Sequence, residues 1–397
     1  MAATPTPRPQ PNQPVSWLGG LTPKQFMSRH WQKKPLLVRG AFPEFKPPVS
    51  IAEVLRLCTN DLAQSRLVMR QPGGGKKKTA DWTLRHGPFR KSDLPKLADP
   101  NWTVLVQQVN TLLPAADRFM DAFRFIPEAR LDDLMISIAG PDGGIGAHVD
   151  SYDVFLIQAA GQRRWEIAKN FDPTLQANVP LKVLQSFHAE SDWILGPGDL
   201  LYLPPNIAHR GTAVGSGCMT WSVGFRATSQ LSLAEQAWTQ HLDQLTDSDW
   251  QDPWLAASAH PGEIPDRLLS ALTRKVLQAF PGPKAVRTAV SQVLSEPAPA
   301  TVFEVPKRPP TAAAFQAQAS RGGLRLSPAS RLLYTHGEFF MNGEHLARPS
   351  RRAAALVLER LADCRSLSAS DVERARRDSE LMSLLHGMYR DGWIVYD

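Results

Sequence analysis

The sequence predicts an α+β protein whose N-terminal half is an antiparallel sandwich or barrel, followed by helices and a small mixed unit. Three observations lead there. From about Leu67 to Phe225, short apolar or alternating runs recur between Gly, Pro, Asn and Asp, which is the texture of many short strands joined by turns. After Ser229 the apolar residues fall at helix spacing. A Pro-rich stretch, PAPATVFEVPKRPP at 297–310, then sets off a last segment that mixes strand and helix signals. At 397 residues the chain is too long for one small core. A hydrophobic share of 43% with 21% charged residues excludes a mainly disordered chain.

Each element has a local reason. The start, MAATPTPRPQPNQPV (1–15), reads as a Pro-rich disordered tail with no apolar stretch to act as a signal peptide. Leu21–Trp31 reads as a helix, with Thr22 as cap, Pro23 at the first helical position and Gln25 closing a capping box. A strand at Leu36–Arg39 and a helix at Ile51–Cys58 follow. Strands are expected at Arg66–Arg70, Thr103–Gln107, Leu134–Ala139, Val154–Gln158, Arg164–Ala168, Trp193–Leu195, Leu200–Leu203 and Thr220–Phe225. Asn101–Asn110 is ambiguous between strand and helix start. Helices are expected at Leu231–Leu245 and Ile264–Leu294. Beyond the linker come strands at Arg331–Tyr334 and Glu338–Met341, then the turn Asn342-Gly343. Helices at Ala353–Ala362 and Ser370–Leu385 close the chain, the second opening on a Ser370/Glu373 capping box.

The net charge of +7 is mild and does not by itself imply a nucleic-acid partner. Cys58, Cys218 and Cys364 are far apart and form no CxxC pair, so a reducing compartment is expected and no disulfide framework. No apolar run is long enough to span a bilayer, and the expected location is the cytoplasm. GGGKKKT at 73–79 lacks the glycine spacing and the feeding strand of a phosphate loop; it reads as an exposed hairpin loop. GGIG at 143–146 leads into a strand rather than a helix, so it is no dinucleotide fingerprint.

Two segments carry chemistry. The first contains His148-Val149-Asp150; on a strand, residues two apart point the same way, so the imidazole and the carboxylate can share one metal. A lone HxD is weak, and a single histidine is more often structural than a ligand. The second segment, ILGPGDLLYLPPNIAHRG at 194–211, pairs a tight turn with a buried strand and delivers His209 just past it. Two histidines and one carboxylate form the facial triad of non-haem iron(II) oxygenases, which leaves adjacent metal positions open. Arg163 and Arg164 are the cations nearby. Arg163 shares its strand face with Trp165 and Ile167, the apolar and inward one, whereas Arg164 shares its face with Glu166. A buried arginine needs an anion, and a carboxylate suits its fork.

The segments HVD (148–150) and GDLLYLPPNIAHRG (198–211) resemble the JmjC/cupin double-stranded β-helix. WQKKPLLVRG (31–40), HGPF (86–89), NWTVLVQQVN (101–110), DDLMIS (132–137), YDVFLIQ (152–158) and WSVGFR (221–226) extend the likeness to the bacterial ribosomal oxygenases. The resemblance implies an iron(II)- and 2-oxoglutarate-dependent hydroxylase that consumes dioxygen and modifies an arginine of a large-subunit ribosomal protein. It implies His148, Asp150 and His209 as metal ligands, Arg163 as the co-substrate cation and Ser137 as a hydroxyl contacting the co-substrate. It also implies an oxygenase domain over 16–229, a helical region at 230–296 that forms a homodimer, and a winged-helix-like domain at 311–397. Asp142, Asp132 and Asp133 are possible acceptors for a substrate guanidinium. Sequence-specific DNA binding is not expected. The arginines 348, 351 and 352 are interleaved with Asp363, Asp371, Glu373, Asp378 and Glu380. The competing readings are an oxygenase of another protein or small molecule, and a cupin scaffold without catalysis.

Overall fold

A computed structural model describes residues 8–71, 81–227, 229–299 and 301–397. Residues 1–7 of the expected tail and the expected hairpin loop at 73–79 lie outside the described residues. The chain divides into two compact units, Met1–Ala227 and Thr228–Asp397.

In the first unit the proline-rich start is exposed for most of residues 8–14 but anchored at single points. Pro9 is buried, Pro11 accepts the Lys24 N–H at 3.0 Å, and Val15 lies against the core. Prolines supply no donors, but their rings are apolar surface that a core can use. The helix α1 (Pro23–Arg29) carries the Thr22/Gln25 capping box, with both reciprocal bonds present. The strand β1 (Leu36–Val38) and the helix α2 (Ile51–Leu57) follow. Then come β2 (Ser65–Gln71), β3 (Asp81–His86) and β4 (Trp102–Val106). The ambiguous stretch is thus a strand up to Val106, and the helical turn α3 (Val109–Leu112) begins at its last two residues. α4 (Pro114–Met120) leads to β5 (Leu131–Ala139). The site strands are β6 (His148–Val149), β7 (Val154–Ala168), β8 (Ser191–Leu195), β9 (Leu200–Leu203) and β10 (Ala208–Phe225).

Two expectations are corrected by β7 and β10. Val154–Gln158 and Arg164–Ala168 are the two ends of one strand, and Thr220–Phe225 is the end of a strand that already contains His209. Both strands turn a corner midway. The β7–β10 register slips between Val214 and Met219, where Gly215 and Gly217 have φ of 80° and 67° and Gly161 opposite has 60°. Positive φ is open to glycine at little cost, and such bulges bend a strand from one sheet into the next. The path β1-β9-β7-β10-β5-β4-β2-β3 therefore wraps into a double-layered β-helix.

One side of the larger sheet is covered by the helices through an aromatic core. Trp221 meets the Phe119 ring edge-on at 4.9 Å, and Phe155 lies 4.9 Å from Tyr202. Tyr202 is also a polar anchor. Its hydroxyl donates to the fully buried Asp153 at 2.5 Å and accepts the Gln32 N–H at 2.9 Å. The turn before β9 is pinned by Asp199, whose carboxylate accepts the N–H of Gly40 and of Gly196 and pairs with Arg39.

In the second unit α5 (Gln230–Leu242), α6 (Asp266–Ala279) and α7 (Pro283–Ser295) come first. The expected helical stretch Ile264–Leu294 holds two helices, because the run Phe280-Pro281-Gly282-Pro283 interrupts the ladder. Beyond residue 297 lie α8 (Ala312–Gly322), β11 (Leu324–Leu326), β12 (Leu332–Tyr334), β13 (Phe339–Met341), β14 (Glu344–Leu346) and α9 (Arg352–Cys364). β15 (Ser366–Leu367), α10 (Ala369–Ala375), α11 (Ser379–Arg390) and β16 (Ile394–Tyr396) complete it. The expected helix Ser370–Leu385 is also two, and its capping box is Ser368/Asp371 rather than Ser370/Glu373. α7 packs on the β13–β14 hairpin: Gln292 donates to the Gly343 carbonyl and the Gly343 N–H donates to Ser295, both at 3.1 Å. The helices and the C-terminal sheet elements therefore share one unit across the Pro-rich stretch.

All three cysteines are free, with Cys58 and Cys218 buried and Cys364 exposed. Tyr202→Phe removes the donor to a buried carboxylate and should cost about 1–3 kcal/mol of stability in equilibrium urea unfolding. Burial pushes the Cys58 thiol up to about 12, so iodoacetamide at pH near 8 should label the native protein at Cys364 alone, which peptide mapping reads directly.

Candidate metal centre

The centre is assembled by strand register. β6 pairs antiparallel with β10 so that His148 stands directly opposite His209. Their rings lie 4.2 Å apart between centroids. Asp150 follows two residues after His148, and its carboxylate sits 3.9 Å from His148 Nε2 and 3.6 Å from His209 Nε2. The three donor atoms all lie within 4.8 Å of one another.

Backbone carbonyls orient both rings. His148 Nδ1 lies 3.0 Å from the Gly146 carbonyl and His209 Nδ1 lies 2.9 Å from the Ile207 carbonyl. A carbonyl only accepts, so each Nδ1 carries a proton and Nε2 is the nitrogen turned toward Asp150. Burial, with the neighbouring His148, pushes His209 down to about 4 despite the opposing pull of Asp150. The ring is therefore neutral, as a ligand must be. Two imidazoles and one carboxylate fit an iron(II)-type divalent ion.

A second polar feature lies on the same wall. Arg163 is buried, while Arg164 is exposed and paired with Asp192, as the alternation expects. Arg163 Nη1 donates to the Gly211 carbonyl at 3.3 Å, but its Nε and Nη2 are buried without a hydrogen-bond partner. The neighbouring Trp165 Nε1 is orphaned as well. Ile167 faces His209 across the strands, and Arg163 shares its face four residues along, roughly 13 Å away at strand rise. β10 can pass Trp165 because the residue opposite is Gly211, where a Cβ would lie 2.7 Å from the indole.

Ser137 lies on β5, buried, opposite Thr220 of β10 and Leu105 of β4. The Thr220 hydroxyl donates to Gln158 at 3.0 Å. Ala213, the partner of Arg163, packs with Ala139, two positions along the face of Ser137.

The three carboxylates named from sequence separate. Asp132 is turned outward, 46% exposed, 3.6 Å from Arg226. Asp142 lines a cavity of about 290 Å³ together with Arg70, Trp82 and Arg210. Asp133 accepts the Gln108 N–H at 2.8 Å and lies near Tyr152. Burial, followed by the negative charges of Asp150 and Asp133, pushes the Tyr152 hydroxyl well above the usual phenol range. Tyr152 is the residue the sequence reading missed, although its even spacing from His148 and Asp150 was a signal. Of the other histidines, His30, His241 and His386 bond to backbone carbonyls, as structural residues do.

Comparisons with known proteins agree on this architecture. A JmjC domain model matches residues 118–233 and a ROXA-like winged helix model matches 273–394. The ribosomal protein uL16 3-hydroxylase of Escherichia coli K12 is 31% identical over 375 residues, which is 94% of this chain and 97% of that protein. A probable ribosomal oxygenase of Haemophilus influenzae is 27% identical over 399 residues, covering 95% and 96%. The solved structure of YcfD, a ribosomal oxygenase from Escherichia coli, in complex with cobalt and 2-oxoglutarate superposes with a TM-score of 0.79 at 30% identity, over 95% of this chain and 98% of that one.

Asp150→Ala or His148→Ala should weaken cobalt(II) binding by roughly 100-fold or more, read by titration calorimetry, with the far-ultraviolet circular dichroism unchanged. Retained affinity in both variants would dismiss the triad as the metal centre.

Proposed function

Because the chain belongs to the ribosomal oxygenase family, with a JmjC domain followed by a ROXA-like winged helix, it is an iron(II)- and 2-oxoglutarate-dependent oxygenase, and we propose that it hydroxylates an arginine side chain of the large-subunit ribosomal protein uL16, with His148, Asp150 and His209 holding the iron. The observation that carries this reading is the triad beside an arginine whose guanidinium is buried and half unpartnered. A protein rarely buries such donors unpaired; a ligand carboxylate would satisfy them.

Bound iron(II) would supply the activation of dioxygen. The chain's own residues do the rest. Arg163 Nε and Nη2 would take the distal carboxylate of 2-oxoglutarate in a charge-assisted fork, and the Ser137 hydroxyl would add a further contact. The Gly146 and Ile207 carbonyls keep both imidazoles in the ligating tautomer. Val154, Leu156, Leu201 and Ile207 form an apolar cluster with Trp165 and Ile167, which excludes water from that part of the wall. For the substrate guanidinium, Asp133 is the acceptor we favour, since it lies with Tyr152 and Asp150 whereas Asp132 faces outward.

Two further readings belong here. A homodimer is supported by α6, none of whose residues is buried and whose Leu269, Val276 and Leu277 are 51%, 60% and 61% exposed, since apolar stripes of this kind mark protein contacts. With a ribosomal substrate, the site of action is the cytoplasm; no described helix is long and apolar enough to cross a membrane.

Mass spectrometry of uL16 incubated with the protein, iron(II), 2-oxoglutarate and ascorbate should show a gain of one oxygen on an arginine, absent with His148→Ala. Turnover of 2-oxoglutarate without that gain would discard uL16. Arg163→Leu should raise the KM for 2-oxoglutarate roughly 10- to 100-fold while cobalt(II) affinity holds, from the loss of charge-assisted hydrogen bonds.

A further inference from the structure

The second unit carries a groove that the oxygenase reaction does not use. It lies among α9, α10 and α11 and holds about 630 Å³, with Arg351, Arg360, Arg374 and Arg377 at its rim and Leu356 and Val357 among its lining. Leu356 is 53% exposed. The two carboxylates of the groove are tucked away: the Asp371 and Asp378 side chains are 3% and 12% exposed. The arginines stand out, with Arg351, Arg360 and Arg374 at 69%, 56% and 71%. Asp371 is shared by Arg360 at 2.9 Å and Arg374 at 3.5 Å and also caps α10 through Ser368. One carboxylate cannot occupy the donors of two guanidinium groups, so the groove presents positive charge around an apolar floor. No aromatic side chain lines it, which makes it a poor platform for nucleic-acid bases. An acidic chain segment with apolar side chains fits.

The same chain contains such a segment. Between Arg226 and Arg267 there is no lysine or arginine, while Asp243, Asp247, Asp249 and Asp252 fall within ten residues. Residues 242–251 are exposed throughout, including Leu242, Leu245 and Trp250 at 44%, 42% and 38%. Among the described residues no cation pairs with Asp243, Asp247 or Asp249. Exposed leucines and a tryptophan among unpaired carboxylates are the complement of an arginine-rimmed apolar groove.

We propose that the acidic segment 242–251 of one copy docks into the arginine groove between α9 and α10 of a second copy. Groove and segment are different patches, so two copies related by a twofold axis make the contact twice, reciprocally. This contact is separate from the α6 stripe and does not rest on it.

The test uses the full chain with the photoreactive Leu356→p-benzoylphenylalanine, mixed with a heavy-isotope copy that lacks the probe. The expected product is a light–heavy cross-linked peptide containing residues 242–251. Cross-links confined to one copy, to any other segment or to added ribosomal RNA, or no cross-link at all, would each overturn the proposal. Asp247→Lys with Asp249→Lys, at exposed and unpaired positions, should lower the yield roughly tenfold or more. Arg374→Glu with Arg377→Glu in the probe-bearing copy should restore it. An unchanged yield in the lysine variant, or no restoration, counts against the contact. If sedimentation shows that α6 variants become monomeric while the cross-link survives, the docking stands without the α6 dimer; if the dimer persists without the cross-link, only the docking falls.

Discussion

The rest of the structure depends on the pairing of one strand, β10, with three partners, β5, β6 and β7. Its first residues lie against β6 and the end of β7, and its last residues against β5 and the start of β7. A strand that joins two sheets must bend, and it can bend only where the chain tolerates positive φ and an unpaired residue. Gly161, Gly215 and Gly217 provide that corner. Once the corner is set, the register has no freedom left. A slip by one residue would turn His209 away from His148 and drive the apolar face of β7 into solvent.

That rigidity is what the metal chemistry requires. His148 and His209 sit on paired strands and Asp150 directly follows β6, and the imidazole rings are oriented by main-chain carbonyls two residues back in each case. The same wall carries polar atoms left without hydrogen-bond partners, Nε and Nη2 of Arg163 and Nε1 of Trp165. Buried unpaired donors destabilise a fold by about 1–3 kcal/mol each. The first unit offsets this through its aromatic core and through the fully paired Asp153–Tyr202–Gln32 network on the other side of the sheet. Stability and chemistry are thus placed on opposite faces of one sheet.

The second unit follows a different logic. Its surface leaves an apolar stripe on α6, an arginine-rimmed groove and an acidic segment uncovered. The net charge of the chain conceals this arrangement, because the groove's acids are buried under their arginines while the segment's acids are bare. Charge counting along the sequence saw only interleaved signs in the C-terminal part. Burial separates the signs, and only burial reveals which of them a partner meets.

The sequence by itself determined whatever depends on alternation and on local caps. His148 and Asp150 on one face, Arg163 inward and Arg164 outward, and the Thr22 cap of α1 all follow from period-two strands or from hydrogen bonds within three residues. Only the tertiary structure decided whatever depends on which strand meets which. The continuity of β7 and β10 through their glycine corner, the outward turn of Asp132 beside an inward Asp133 and the company of Tyr152 rest on contacts between distant segments. Periodicity records the faces of an element. It carries no information about the partner that each face meets, because that choice is settled by packing across the whole unit.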